Sequence, residues 1–467
     1  MTKNVIWQLL SSSSSLILGL LQVSILSRII EINEFGYIAI AWVVINIFQA
    51  ISDSGLSSYL VYKQKIDKVT NATIFWLTLM FATSVAIFVY SISGMIKDFY
   101  GYEELELLIK ASAIQFIIIG LHSQLQARYL LDFRHITLAK IDIVSKALGV
   151  VASVWLGFLY KSAWVMIAGL IITGITKTVM LWILSEKAWR PTLNFSVNEA
   201  KIGIKYGIYQ IGGQILNQIR GNLDTVLLGV YLKPAELGIY SLAKNLIIKP
   251  GQVILPVTQK IMLPILAKER DKKEEFEHSV KHAHWLLCIV FAIIYLNLIL
   301  QSELVTTIFY GNDISIQMTG IFSPLCAFWL VRTLGGSLVG ATCQATANTK
   351  KEFNWNLFTF FVNTGITYYA VQHGSLYLVW SLLVMQMTLL PLIYWYFYRR
   401  LLGLTVIGFF MPIIVSLLVV YPILKLTIYI LSAFSNNIYF LFFTPYLFFF
   451  ILSAKVFIRY NELLRKQ

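Results

Sequence analysis

The sequence predicts an all-α polytopic membrane protein of fourteen transmembrane helices, built as two parallel six-helix repeats with two further helices at the C-terminal end. Three observations predict it. Hydrophobic residues make up 58% of the 467 and charged residues 13%, with a mean hydropathy of +0.72, too apolar for a surface in water. Apolar runs of about 20 residues, the length that crosses a hydrocarbon core, recur between short loops. Short polar and aromatic motifs also recur at an offset of 202 residues.

In order, the fourteen runs cover residues 5–28, 37–61, 73–95, 106–127, 138–159, 162–184, 206–231, 238–263, 282–302, 318–346, 354–371, 376–398, 405–425 and 437–458. Only Lys3 precedes the first run, and no small-residue cleavage site follows it, so it reads as a span and not as a removed signal. With the N-terminus inside, 21 Lys and Arg lie in or beside the cytoplasmic segments, Lys201 and Lys205 of the elbow left aside, whereas five lie in or beside the outer ones: Arg28, Lys97, Lys161, Lys233 and Lys425. That asymmetry places both termini in the cytoplasm. An omitted span would scramble the alternation, so the asymmetry also supports the count. The net charge of +14 suits an anionic membrane face, since little soluble surface is left for nucleic acid.

After the sixth run, Arg190-Pro191 breaks the chain, and Ser196 to Glu199 has capping-box spacing ahead of Lys201 and Lys205. This predicts an interfacial elbow helix over 188–205, between a first lobe, 1–187, and a second, 206–400, with the last two spans and a cytoplasmic tail in 401–467. The loop Ala267–His284 reads as a charged helical hairpin or extension. Gln8, Ser12, Ser15, Gly19 and Gln22 stand 202 positions before Gln210, Gln214, Asn217, Gly221 and Asp224, as Glu34-Phe35-Gly36 does before Glu236-Leu237-Gly238. Phe99-Tyr100-Gly101 recurs as Phe309-Tyr310-Gly311, 210 later. Six spans is an even number, so the copies run parallel, related by an axis along the membrane normal, with a substrate site expected at their interface.

The functional residues are sought where polarity enters lipid. Tyr206, Gln210, Gln214, Asn217, Gly221 and Asp224 fall within roughly 80° of helical arc, a polar stripe flanked by Arg220. In a bilayer such a stripe must face protein or a wet cavity. A central charge costs about 2.5–3.5 kcal/mol on insertion scales, so Lys146, Lys177, Arg220, Lys244, Lys249 and Arg332 each need a partner, a cavity or a route out. Arg332 lies mid-span ahead of Gly335, Gly336 and Gly340, which admit a close helix or ligand. It reads equally as an anion ligand or as half of a buried pair. Lys244 and Lys249 share a span with Pro250, Pro256 and Pro264, either a kinked gate or irregular packing. Lys177 is near enough to the cytoplasmic end to snorkel. Asp142 and Lys146, spaced i, i+4, are expected to pair. For Arg220 and Asp224 the same spacing sets mutual neutralisation against a ligand role. Asp53, on a stripe with Asn46 and Gln49, suits a cap or a gate contact to a basic loop, and His122 a hydrogen-bonded core position.

Catalytic signatures are missing. There is no P-loop, dinucleotide fingerprint, HExxH or GxSxG. Cys288, Cys326 and Cys343 have neither metal spacing nor a disulfide context. The outer loops KDFYGYEELE and YGNDISIQ are short for a glycan polymerase or ligase. No catalytic residue, metal or cofactor is therefore assigned, and a non-enzyme is expected.

With these stretches in view, the chain resembles the Wzx-type polysaccharide flippases of the multidrug/oligosaccharidyl-lipid/polysaccharide exporter superfamily. The resemblance rests on Glu34-Phe35-Gly36, Asp53-Ser54-Gly55-Leu56-Ser57-Ser58, Phe75-Trp76, Phe99-Tyr100-Gly101, Asn222-Leu223-Asp224 with Gly229, and Leu237-Gly238-Ile239-Tyr240-Ser241, in order across residues 1 to 400. It implies a MATE-like fold of two six-helix lobes around a central cavity plus two helices. It further implies transfer of an undecaprenyl-pyrophosphate-linked oligosaccharide between the leaflets of a bacterial inner membrane for O-antigen, capsule or exopolysaccharide. An ion gradient of H+ or Na+ and glycan polymerase or chain-length partners belong to the same implication. A pyrophosphate is a large anion, so Arg220, Lys244, Lys249 and Arg332 are the candidate anion ligands. Gln8, Ser12, Ser15, Gln22, Gln210, Gln214 and Asn217 suit sugar hydroxyls. Asp224 is the ion-coupling candidate and Asp53 the gate candidate. A drug or small-cation exporter of the same fold is the first alternative, though it calls for a more acidic cavity; a membrane glycan polymerase or ligase is the second.

Overall fold

Backbone amides and carbonyls have no water to bind in a hydrocarbon core, so apolar runs satisfy them internally as helices. A computed structural model of the chain describes residues 2–52, 56, 59, 60, 63, 66–402 and 404–434. The expected fourteenth span, 437–458, and Asp53 lie outside these residues. The helices are α1 Thr2–Leu26, α2 Ile32–Ser52, α3 Lys68–Tyr100, α4 Glu104–Leu131, α5 His135–Tyr160, α6 Trp164–Leu184, α7 Val197–Tyr231 and α8 Pro234–Glu269. They continue as α9 Lys273–Leu300, α10 Ser302–Tyr310, α11 Asn312–Gly336, α12 Val339–Ala345, α13 Thr349–Val371, α14 Ser375–Ile393 and α15 Val406–Phe434. A π-helical stretch, Tyr394–Arg399, extends α14. No strand occurs among the described residues.

Among the described residues, nine helical stretches are long and apolar enough to cross a membrane, and Leu10–Leu26 of α1 is a shorter apolar one. The helices α7, α8 and α13 stand outside that set because they carry polar residues: the stripe of α7, Lys244, Lys249 and Lys260 of α8, and Asn354, Asn356 and Asn363 of α13. The fold is thus an all-helical, multi-pass membrane protein.

Contacts divide the chain into two compact units, one ending at Ser241 and one beginning at Leu242. In the first unit α3 packs on α4, α5 on α6 and α1, α4 on α6, and α7 on α2 and α3. In the second, α9 packs on α15 and α11, and α14 on α11 and α13. The sequence placed the boundary at the elbow, whereas the contacts divide within α8. The reason is that the elbow is bonded to the first unit and continues unbroken into α7. Ser196 caps α7, its hydroxyl accepting from the Glu199 amide at 3.5 Å. The reciprocal half of the capping box does not form: the Ser196 amide donates to Thr73 Oγ1 at 2.9 Å, and Glu199 turns to Lys63. At the other charged loop, α8 runs to Glu269 and α9 starts at Lys273, a helical hairpin as expected.

The sequence repeat has a physical counterpart. A Cβ on Gly36 would overlap the carbonyl oxygen of Pro234, and one on Gly238 would overlap the carbonyl oxygen of Ile32 and lie 3.1 Å from the Gly36 nitrogen. Ile32 and Pro234 are themselves 202 apart, as are the glycines. The first turns of α2 and α8 therefore cross through equivalent residues of the two copies, each glycine against the opposite backbone, an approach that only a residue without Cβ permits.

Candidate substrate and ion site

The polar stripes of α1 and α7 both belong to the first unit. Their equivalent glycines, Gly19 and Gly221, have no atom within 4 Å of where a Cβ would sit. Ser12 is exposed, and Ser15, Gln214, Arg220 and Asp224 are half-buried. Open surface therefore lies along part of each stripe, at Ser12 on α1 and at Gly221 on α7. The side chains of Gln8, Gln210 and Asn217 lie outside the described ones.

The last position of each stripe is bonded. Gln22 on α1 is 7% exposed; its amide donates to Ser153 Oγ at 2.8 Å, and its carbonyl accepts from Lys146 Nζ at 3.3 Å, both partners lying on α5. Asp224, its counterpart on α7, accepts from the Tyr240 hydroxyl at 2.6 Å and from the Thr225 amide at 2.8 Å. Tyr240 is only 1% exposed, so this phenol is a fixed donor. Sequence reading did not single it out, although it stands in the Leu237–Ser241 motif.

Two charge assignments change. Asp142 pairs with Lys177, at 2.8 Å from α5 to α6, and not with Lys146 one turn along its own helix. Lys177 accordingly does not snorkel. An exposed i, i+4 pair is worth only tenths of a kcal/mol, whereas α5 and α6 lie side by side and Gln22 engages Lys146, so the interhelical pairing wins. His122 is a core residue as expected, with Nδ1 2.9 Å from Thr178 Oγ1.

In the second unit the Arg332 side chain is exposed on the protein surface, its guanidinium 4.9 Å from the Trp329 ring centroid. Tyr295, whose hydroxyl donates to the Ile247 carbonyl of α8 at 3.2 Å, lies within charge range of Arg332. Lys244 and Lys249 are half-buried on α8, which stays helical through Pro250, Pro256 and Pro264. Of the three glycines after Arg332, Gly335 is pressed against Leu390 and Gly340 faces Glu352, while Gly336 has open space beside it. Gly335 therefore serves helix packing, Gly340 makes ordinary contacts, and Gly336 stands beside open space.

Less legible from sequence is the polar clamp on the elbow. Glu199 receives Lys63 Nζ at 2.6 Å and the Tyr59 hydroxyl at 3.2 Å, and Lys63 also reaches Thr70 Oγ1 at 2.9 Å. The Lys63 ammonium holds the Glu199 carboxyl below the usual carboxylate range. Buried Asn71 gives its amide to the Trp189 carbonyl at 2.9 Å and accepts from Gln124 Nε2 and, at 3.0 Å, from Arg128 Nε. Trp189 sits in a core with Leu125, Tyr129, Leu138, Ile141 and Leu181.

Comparisons with known proteins give the family and the fold. A family described as polysaccharide biosynthesis protein matches residues 25–316. The amylovoran biosynthesis protein AmsL of Erwinia amylovora is 32% identical over 307 residues, 65% of this chain and 78% of AmsL. Among solved structures, the lipid II flippase MurJ, in an inward closed conformation, superposes with a TM-score of 0.74 at 13% identity, over 98% of this chain and all of MurJ. An inward-facing multidrug resistance MATE family transporter of the MOP superfamily reaches 0.54 at 14% identity, over 89% of this chain and 93% of that one. At such identities the two structures speak for the fold alone.

Proposed function

The chain belongs to the polysaccharide biosynthesis protein family, and from that premise we propose that it is a flippase for a lipid-linked glycan precursor. The cargo of this reading is an undecaprenyl-pyrophosphate-linked oligosaccharide, moved from the cytoplasmic to the periplasmic leaflet of a bacterial inner membrane to supply a surface polysaccharide. Fourteen spans, two six-helix lobes and cytoplasmic termini complete the picture, and a glycan polymerase would take the product.

The observation that carries the reading is Arg332, a guanidinium on the apolar stretch Asn312–Ala345 with its side chain exposed and open space at Gly336 one turn on. A fixed cation at that depth suits a pyrophosphate whose lipid tail stays in the bilayer. Lys244 and Lys249 are the further candidate anion ligands of the second unit, and Arg220 is that of the first. Ser12, Ser15 and Gln214, with Gln8, Gln210 and Asn217, supply donors and acceptors for sugar hydroxyls. Gln22, already bonded at both ends, positions Lys146. Asp224 is the coupling group: its Tyr240 bond is made to the carboxylate, so uptake of H+ or Na+ would compete with it and bias alternating exposure of the anion site.

Deleting the gene should leave lipid-linked repeat units on the cytoplasmic face and remove surface glycan. Arg332→Ala, expressed and inserted normally, should fail to restore glycan. Normal glycan with that variant would remove Arg332 from the site, and unchanged lipid-linked pools in the deletion would sink the flippase reading. Transport by Asp224→Asn that is normal across pH and sodium concentration would end the coupling role.

A further inference from the structure

The ends of α13 and α14 that carry Lys350, Lys351, Arg399 and Arg400 enclose a cleft that the proposed transport does not use. Asn354, Trp355 and Phe358 of α13 line it with Leu392, Trp395 and Tyr396 of α14 and its extension, around a volume of about 220 Å³. Its walls are fixed: the Trp355 ring stacks on Tyr396 at 5.7 Å and meets Phe397 edge-on at 5.6 Å. Trp395 and Tyr396 lie in the π-helical stretch, a widened turn of the kind found at functional sites. The volume is below the ~300–1,000 Å³ of pockets that enclose a drug-sized ligand, and the polar groups of its lining are those of Asn354 and Tyr396 and the indole N–H of Trp355 and Trp395. Such a cleft suits one hydrocarbon chain lying along it and not a sugar.

The mouth of the cleft is cationic. Lys350 and Lys351 precede Asn354 and Trp355 by one helical turn, and Arg399 and Arg400 follow Trp395 and Tyr396 by one turn. Lys350, Arg399 and Arg400 are exposed. The Arg400 guanidinium lies 3.7 Å from the Trp395 ring centroid, which holds it at the rim with its edge available for phosphate. Glu352, the single acid in residues 349–361, turns towards α12, its Oε1 3.5 Å from the Cβ position of Gly340, and residues 390–404 contain no acid.

We propose that this cleft binds one anionic glycerophospholipid of the surrounding leaflet, an acyl chain along the aromatic walls and the phosphate on Arg399, Arg400 and the lysines. Charge complementarity selects this occupant over the chain's own C-terminal segment, because residues 455–467 carry Lys455, Arg459, Arg465 and Lys466 against the single acid Glu462. The same argument separates an anionic headgroup from a zwitterionic one, for which the four cations offer little gain.

The test is lipid titration of the purified full-length protein in detergent, read by native mass spectrometry, with phosphatidylglycerol and phosphatidylcholine of matched acyl chains. One phosphatidylglycerol is expected to be retained in preference to phosphatidylcholine, and R399Q/R400Q to weaken it about thirtyfold, as the loss of two cations beside an anionic headgroup implies. Brominated phosphatidylglycerol should quench tryptophan fluorescence less in Trp355→Phe than in the parent. Equal retention of the two lipids, or unchanged selectivity in R399Q/R400Q, overturns the proposal. Should that variant not fold, K350Q/K351Q reads the same selectivity from α13. These measurements do not involve transport, so they stand or fall apart from the flippase reading.

Discussion

Gly36→Ala and Gly238→Ala test whether the two repeat copies cross through their glycines. In each case the new methyl meets a backbone carbonyl oxygen in the first turn of the opposing helix, which cannot rotate aside as a side chain could. Overpacking of this kind costs about 1–3 kcal/mol, and a rigid neighbour puts both variants near the upper figure. Alanine recovers up to ~1 kcal/mol through its better helix propensity, which leaves a net loss of about 2 kcal/mol for each. The pair is also coupled. Once one alanine has parted α2 and α8, the second enters a widened crossing, so the double variant should lose less than the sum by about 1 kcal/mol, within the usual range for residues in contact.

The assay is the midpoint at which the monodisperse gel-filtration peak disappears after heating in detergent, expected to fall by about 4–8 °C for each single variant at ~2–4 °C per kcal/mol. Gly19→Ala and Gly221→Ala are the controls, because both are helical and neither meets an atom within 4 Å. Those two should hold the midpoint or raise it slightly. If G36A and G238A melt with the parent, or their losses add fully, the reciprocal crossing is refuted.

Three further outcomes follow from the first unit. Glu199 has a depressed carboxyl pKa owing to its Lys63 bond, so its stabilising contribution is present above the ordinary value of 4.5 and is lost as pH falls through the depressed one. The melting midpoints of the parent and Glu199→Gln should therefore differ at pH 7 and converge on acidification from pH 5 towards pH 3; a constant difference would contradict the linkage. Asn71→Ala takes the acceptor away from Arg128 Nε, while Gln124 Nε2 keeps its 3.3 Å bond to the Trp189 carbonyl. A loss of about 1–3 kcal/mol is expected from the one donor left unpaired, visible as reduced folded yield of a fluorescent fusion, and a neutral result would mean that water replaces Asn71. Asp142→Asn should cost more than the double variant Asp142→Asn/Lys177→Gln, since the single change leaves a membrane-embedded lysine without its carboxylate. Folded yields in the reverse order would dissolve the pair.

Helix positions were legible because a period and a length suffice to find them. The described spans predicted from the sequence fall on helices, except that the tenth, 318–346, is broken at Ser337 and Leu338 between α11 and α12, and the 202-residue offset reappears as the Gly36–Pro234 and Gly238–Ile32 contacts. Pairings were not legible. Asp142 was assigned to Lys146 because a sequence displays neighbours on one helix and hides the helix beside it. The capping box from Ser196 to Glu199 was half right for the same reason: Lys63 stands 136 positions away and takes the carboxylate. Asn71 and Tyr240 left no pattern at all, since a buried hydrogen-bond hub needs only one polar residue on an otherwise ordinary helix.

The stripe ends sharpen this point. Gln22 and Asp224 occupy equivalent repeat positions, and the sequence showed only that one is neutral and the other charged. The structure adds that each meets a partner that complements it: the amide of Gln22 accepts from the Lys146 ammonium, and the carboxylate of Asp224 accepts from the Tyr240 hydroxyl. These bonds thus set a neutral hydrogen-bonding group against a charge at each stripe end, a cation in the first copy and an anion in the second, whereas Asp142 and Lys177 meet as two opposite charges. The difference takes more than one position: 202 after Lys146 stands Asn348 and 202 before Tyr240 stands Ile38, so the charge sits on the stripe in the second copy and on the neighbouring helix α5 in the first, each with its own partner.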